Sequence, residues 1–158
     1  MMEQIATFGA GCFWGVEALF AAKKGVIETS VGYMGGHTPE VDYQAICQGD
    51  TGHAEVVQLS FDDSVITYED LLLFFWGNHN PTTPNQQGPD FGTQYRSVIF
   101  YHSESQKEQA EAMLATLTQN GVFNAPIVTI IEPAAKYHLG EEYHQKYLLK
   151  RGQASCSL

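Results

Sequence analysis

An α+β sandwich, one central mixed β-sheet flanked by helices, is the fold class this sequence predicts, and three observations lead to it. Short apolar stretches that read as strands alternate with segments carrying helix start and stop signals. The intervals between them mix hairpin-like and crossover lengths. A chain of 158 residues with 44% hydrophobic content can bury one core and needs no second domain. One domain over residues 1–158 is therefore expected, with 150–158 as a flexible tail.

Residues 3–8 predict a short strand, Gly9 and Gly11 a permissive turn, and the stretch from about Cys12 to Lys23 a helix that Gly25 ends. Val26 to Tyr33 predicts a second strand closed by Gly35 and Gly36, with a short helical turn around Tyr43 to Cys47. AEVVQLSFD, Ala54 to Asp62, alternates so that Glu55, Val57, Leu59 and Phe61 share one strand face. Thr67 with Asp70 forms a capping-box pattern opening a helix through about Trp76, and Ser103 with Gln106 opens another that ends at Asn120-Gly121. Between them lies 77–94, rich in Pro, Asn and Gly; a loop of that length inside one domain is usually functional or disordered. Tyr95 to Tyr101 and Ile127 to Ile131 read as strands, and Glu141 to Leu149 as a last helix before the polar tail RGQASCSL with its Cys156.

A formal charge of −10 with only 8 Lys and Arg leaves no basic stripe, so neither nucleic acid nor an anionic membrane surface is an expected partner. The first residues lack a positive start and carry Glu3, unlike a secretory signal. The longest apolar run, Leu71 to Trp76, falls far short of the roughly 20 residues a membrane span needs. A cytoplasmic monomer acting on small or peptide substrates is the expectation. Its 3 cysteines form no disulfide framework, and thiols kept reduced tend to be structural, metal-bound or reactive.

The stretch GAGCFWGVEALF, Gly9 to Phe20, places Cys12 where a strand gives way to a helix. A helix N-terminus carries unpaired N–H groups and roughly half a positive charge, which favour a thiolate over a thiol. Position alone leaves two readings, a reactive nucleophile or a buried small hydrophobe that tolerates the turn. Phe13, Val16 and Phe20 form the inward stripe of the helix, whereas Trp14 lies about a quarter turn away. Trp14 is then either the wall of a small apolar pocket or an aromatic packed under a loop. Glu55, sharing a face with large apolar side chains, should lose hydration and hold its proton, unless it reaches water at the strand end. A thiolate beside a protonated acid pairs a nucleophile with a proton donor, which is what displacing oxygen from an electrophilic atom requires.

GCFWG at Gly11 to Gly15, GHAEVV at Gly52 to Val57, GTQYRS at Gly92 to Ser97 and YHQKYL at Tyr143 to Leu148 together resemble the class A methionine sulfoxide reductases. The resemblance implies an enzyme reducing the S epimer of methionine sulfoxide, free or in oxidised proteins and peptides, on a two-layer fold with a ferredoxin-like core. Cys12 falls on the family's nucleophile, which becomes a sulfenic acid, and Glu55 on the acid that protonates the sulfoxide oxygen. Tyr43 and Tyr95 match the tyrosines that hydrogen-bond that oxygen, Asp90 matches an acidic residue lining the site, and Phe13 and Trp14 match the aromatics that cradle the substrate methyl. Cys156 resembles the resolving cysteine, whose disulfide with Cys12 thioredoxin reduces as external reductant; no cofactor and no metal are implied. Cys47 reads as a structural thiol near the site, with a spare resolver as its alternative.

Two departures concern the loop. Many family members carry an Asp after the loop histidine and an Arg before the Gln-Gly pair, whereas this chain has His79-Asn80-Pro81 and Asn85-Gln86-Gln87-Gly88, so the loop's ion pairing does not carry over. Many relatives also have two tail cysteines against one here, which suggests a single-disulfide recycling path.

Rival readings rest on weaker patterns. Gly9, Gly11 and Gly15 are one residue too widely spaced for a dinucleotide fingerprint, and Phe13 and Trp14 would crowd its turn. A metal-binding protein would draw on Cys12, His37, Cys47, His53, His79, His138 and His144, but no CxxC or HExxH is present and Glu141-x-x-His144 stands alone. Most of these histidines read as ordinary surface or loop residues. A thiol peroxidase using the same cysteine is the remaining enzymatic alternative.

Overall fold

The computed structural model describes residues 3–39, 41–48 and 51–147. In chain order these form β1 (Glu3–Ala10), α1 (Phe13–Ala21), β2 (Val26–Met34), α2 (Tyr43–Gln48), β3 (Ala54–Asp62), α3 (Tyr68–Gly77), β4 (Gln86–Gln87), β5 (Asp90–Phe91), β6 (Ser97–Tyr101), α4 (Glu104–Gln119), β7 (Ile130–Pro133) and β8 (His138–Leu139). The main sheet has the order β7-β6-β1-β3-β2-β8. Its neighbours are antiparallel except β6 and β7, which are parallel and joined through α4. The four inner strands β6-β1-β3-β2, with α1 and α3 packed on one face, make a ferredoxin-like core.

The period-two alternation of β3 sets the two layers. Val57, Leu59 and Phe61 point into the helix-side core, and Glu55, 1% exposed, points with them. Ala54 and Val56 face the other way, into a smaller cluster with Met34, Val98 and Phe100 that Ala134 and Tyr137 cover. Phe8 on β1 is central to the larger core. Its ring stacks on Phe20 of α1 at 5.2 Å and on Phe75 of α3 at 5.1 Å, joining both helices to one strand.

Both predicted helix starts form. Thr67 and Asp70 exchange the reciprocal bonds of a capping box, and Ser103 accepts from the Gln106 N–H. The Gln106 side chain departs from that pattern: it accepts from the His102 N–H and donates to the Ile5 carbonyl, tying α4 to β1.

Four expectations are corrected. The strand foreseen at Ile127 to Ile131 is displaced to Ile130–Pro133, because the Val128 N–H is taken by the Pro81 carbonyl outside the sheet. The strand from Tyr95 starts only at Ser97, since Thr93–Tyr95 is a one-turn 3-10 helix. The loop 77–94 contains the β4–β5 hairpin. Over 141–146 the expected final helix is replaced by a single 3-10 turn at Glu142–His144; Tyr147 is helical, and residues 148–149 lie outside the described ones, as does the tail. Tertiary partners outbid helical propensity there. Gln145 uses its side-chain amide to pair with the Val31 N–H and C=O, and the Lys146 N–H goes to Glu17.

One buried relay fixes the entry to β6. Trp76 Nε1 donates to Thr129 Oγ1 at 2.9 Å, and Thr129 meets Ser97 Oγ at 2.7 Å. Ser97 meets His79 Nε2 at 2.8 Å, while His79 Nδ1 meets the Phe75 carbonyl at 2.6 Å. A carbonyl only accepts, so Nδ1 carries the imidazole proton and Nε2 accepts from Ser97, which in turn accepts from Thr129. Burial pushes the His79 pKa down to about 4, against the opposing effect of the Phe75 bond, so the neutral ring is the resting form. Ser97→Ala leaves both neighbours unmatched and should lower the unfolding free energy by about 1–3 kcal/mol. An unchanged urea midpoint would contradict the relay.

Candidate active site

Cys12 is placed by the exit from β1. Gly11 takes a φ of +100°, where an L side chain is strained. A β-carbon there would also stand 2.7 Å from Cγ of Gln87. The chain then turns so that Cys12 becomes the N-cap of α1, half-buried, its backbone accepting from the Val16 N–H while its side chain makes no capping bond.

Glu55 lies at the start of β3, directly across the sheet from Tyr33 on β2. The Phe13 N–H, one of the donors a helix N-terminus leaves over, goes to Glu55 Oε1 at 3.3 Å. Oε2 is buried and has no hydrogen-bond partner among the described residues. Burial holds the Glu55 carboxyl well above its ordinary range; the Cys12 and Asp90 charges push the same way, and the Phe13 bond opposes them. The magnitudes explain the outcome. One N–H to a charged group is worth about 1.5–3 kcal/mol, whereas an isolated buried carboxylate costs several. Burial thus favours the neutral form of Glu55, with Oε1 fixed by the Phe13 N–H and Oε2 left without a partner among the described residues.

The remaining predicted residues gather around this pair. Tyr43 opens α2, held there by the Asp42 cap on the Ala45 N–H and by its own N–H to Glu141 Oε2 at 3.0 Å. Its ring faces His144 at 4.5 Å and Trp14 at 6.4 Å. Tyr95 ends the 3-10 helix after β5, half-buried. Burial raises the pKa of both phenols. A hydrogen bond with Cys47 adds to the shift at Tyr43, as do Cys47 and Glu55 once ionised, and ionised Glu55, Asp90, Cys47 and Cys12 add to that at Tyr95. Both are hydroxyl donors at neutral pH. Asp90, half-buried on β5, completes the set.

Of the two aromatics after Cys12, Phe13 is 1% exposed and packs on Tyr33 and His144, while Trp14 is only half-buried. The indole is aimed by the C-terminal segment. Trp14 Nε1 donates to His144 Nδ1 at 3.0 Å, and Tyr147 stacks on the indole at 3.9 Å. Indole only donates, so His144 is neutral with its proton on Nε2, and burial lowers its pKa accordingly, against a weaker opposing effect of Glu141.

Sequence reasoning missed this supporting layer. His144, grouped with ordinary surface or loop histidines, is buried at 1% exposure, and His53, at 3%, is buried too, accepting from the Gly36 N–H and donating to the Thr38 carbonyl. Glu141 receives the Tyr33 hydroxyl at 2.9 Å as well as the Tyr43 N–H. The signal was the Glu141-x-x-His144 spacing, weighed only as a metal motif; among the described residues no group of three or more His, Cys, Asp or Glu could hold a metal ion. Cys47, read as a structural thiol, is exposed on α2. Cys156 lies outside the described residues. In the loop, neutral bonds stand where an ion pair was not expected: Asn80 Oδ1 accepts from the Thr82 N–H and hydroxyl, and Gln87 bonds the Asn80 backbone. Among the described residues no helix is long and apolar enough to cross a membrane.

Known proteins resemble this chain in sequence and fold. The family model described as peptide methionine sulfoxide reductase matches residues 4–158. The chain is 55% identical over 151 residues to the peptide methionine sulfoxide reductase MsrA of Methanoculleus marisnigri, covering 96% of this chain and 92% of the relative. Reduced Mxr1 of Saccharomyces cerevisiae superimposes with a TM-score of 0.85 at 40% identity, over 96% of this chain and 87% of that one. The same yeast protein in complex with Trx2 gives a TM-score of 0.62 at 27% identity, over 92% and 84% of the two chains. On a family match that runs through nearly the whole chain, together with a relative of this closeness, the protein belongs to the peptide methionine sulfoxide reductase family and is an enzyme that reduces methionine sulfoxide.

Proposed function

We propose that the enzyme reduces the S epimer of methionine sulfoxide, free or in oxidised proteins and peptides, with Cys12 as nucleophile and Glu55 as acid. The observation that carries this reading is the Glu55 carboxyl: buried, one oxygen on the Phe13 N–H, the other without a partner, at the N-terminus that Cys12 caps. The Cys12 sulfur attacks the sulfoxide sulfur while Glu55 Oε2 protonates the sulfoxide oxygen. An S–S bond forms as the S–O bond breaks and the oxygen leaves as water. A water then attacks the Cys12 sulfur, breaking that S–S bond, so methionine departs, a proton returns to Glu55 and Cys12, having given up two electrons, is left as a sulfenic acid. Tyr43 and Tyr95 donate hydrogen bonds to the oxygen as its charge changes. Phe13 and Trp14 form the apolar wall for the substrate methyl, with Asp90 at its edge. An S epimer sets methyl on the wall and oxygen on the acid together; its mirror partner must misplace one of them.

Recycling in this reading runs through Cys156. Its thiol condenses with the sulfenic acid, forming the Cys12–Cys156 disulfide and releasing water, and thioredoxin then reduces that disulfide. Two observations support it. Tyr147 stacks on Trp14, so the chain passes beside the site 9 residues before Cys156, a span of at most about 31 Å. The yeast relative has been solved with Trx2 bound. The same reading takes the chain as one domain, monomeric and cytoplasmic, working without a metal or cofactor.

Cys12→Ser should abolish reduction of a methionine sulfoxide peptide, since an alcohol is neither ionised nor soft enough to attack sulfur. Residual turnover above a thousandth of wild type would remove Cys12 from the mechanism. Glu55→Gln should slow single-turnover methionine formation by about 10²–10⁴-fold, the range of a lost general acid; an unchanged rate would exclude Glu55. Cys156→Ser should yield one equivalent of methionine per enzyme and then stall with thioredoxin present. Continued cycling at the wild-type rate would assign recycling to another thiol.

A further inference from the structure

Gln87 makes more contacts than a two-residue strand demands. Its Oε1 accepts from the Asn80 N–H at 2.8 Å and its Nε2 donates to the Asn80 carbonyl at 2.8 Å, so the amide bridges Asn80 as a neighbouring strand would. Its methylenes lie against Gly11, where a β-carbon would stand 2.7 Å from Cγ and 2.8 Å from Cβ. Across the β4–β5 ladder its partner is Asp90. One neutral side chain thus joins the loop after α3, the turn before Cys12 and the strand that carries Asp90.

That strand has little packing of its own. It comprises Asp90 and Phe91, and Phe91 is 70% exposed. Glu55 is faced by Cys12 from the turn, Tyr33 from β2, Tyr43 from α2, Asp90 from β5 and Tyr95 from the 3-10 helix. The three tyrosines are kept neutral, chiefly by burial, which leaves Asp90 as the one other carboxyl group in that set.

We propose that Gln87 is a positioning residue for sulfoxide reduction, seating the Asp90 carboxylate beside Glu55 by clamping the β4–β5 hairpin to Asn80 and to the Gly11 turn. The inference rests on the reading of Glu55 as the acid. The Asp90 charge opposes loss of the Glu55 proton, so a hairpin released from its clamp lets Glu55 ionise at lower pH.

The test is the pH profile of single-turnover methionine formation from a methionine sulfoxide peptide, for wild type, Gln87→Met, Gln87→Ala, Asp90→Asn and the Gln87→Met/Asp90→Asn pair. Gln87→Met keeps the methylenes over Gly11 and deletes the clamp; Gln87→Ala removes both. The alkaline limb should move down by roughly half a pH unit in Gln87→Met, a fraction of the one-to-three-unit effect of a close charge. On that limb the rate then falls about three-fold, and Gln87→Ala should fall at least as far. Asp90→Asn should move the limb at least as much, with no further shift in the pair. A Gln87→Met limb superimposed on the wild-type one overturns the proposal, as does an undiminished second shift in the pair. Glu55→Gln separates the two levels: if the alkaline limb survives that substitution, the reading of Glu55 has failed and the inference with it. A limb lost in Glu55→Gln yet unmoved in Gln87→Met sinks the inference alone.

Discussion

The bond from the Phe13 N–H to Glu55 Oε1 is the constraint on which the rest of the site depends. It joins the first turn of α1 to the first residues of β3, so the thiol that caps the helix and the carboxyl that begins the strand share one small volume. It also orients the acid. With Oε1 occupied, Oε2 is the oxygen left without a partner among the described residues. A helix N-terminus could stabilise an anion here, but burial outweighs a single N–H bond and pushes the Glu55 carboxyl towards its neutral form.

Around this pair the C-terminal segment acts as a brace. Glu141 receives Tyr33 and Tyr43, His144 receives the Trp14 indole, Gln145 pairs with Val31 as a strand would, and the Lys146 N–H reaches the buried Glu17, which also accepts from the Thr29 hydroxyl. Each bond made by the segment itself joins it to α1, β2 or α2 across about a hundred positions or more. The brace explains why 141–146 holds only a 3-10 turn: an α-helix there would return these N–H and side-chain groups to their own segment and release the tyrosines and the indole.

Legibility in the sequence followed the range of the interactions. The α1 cap at Cys12, the face of Glu55 on β3 and both capping patterns are local, and the residues carry them openly. The resemblance supplied Tyr43, Tyr95 and Asp90, which no periodicity singles out. What stayed hidden depends on distant partners. Ile127 to Ile131 has strand-like composition, yet where β7 begins is decided by the bond between Val128 and Pro81. Glu141 to Leu149 has helical spacing, yet Val31 and Glu17 claim its polar groups. His144 looked like a surface residue because its burial is imposed by Trp14, Tyr43 and Phe13 from other elements.

The central claim is that Glu55 is an uncharged acid beside Cys12 at neutral pH. Carbon NMR of protein labelled at the glutamate side-chain carboxyls tests it most directly, with the resonance assigned by its loss in Glu55→Gln. The account predicts a Glu55 signal that keeps the chemical shift of a protonated carboxyl at pH 7 and titrates only above it. A midpoint near the ordinary value of about 4.3 would contradict it.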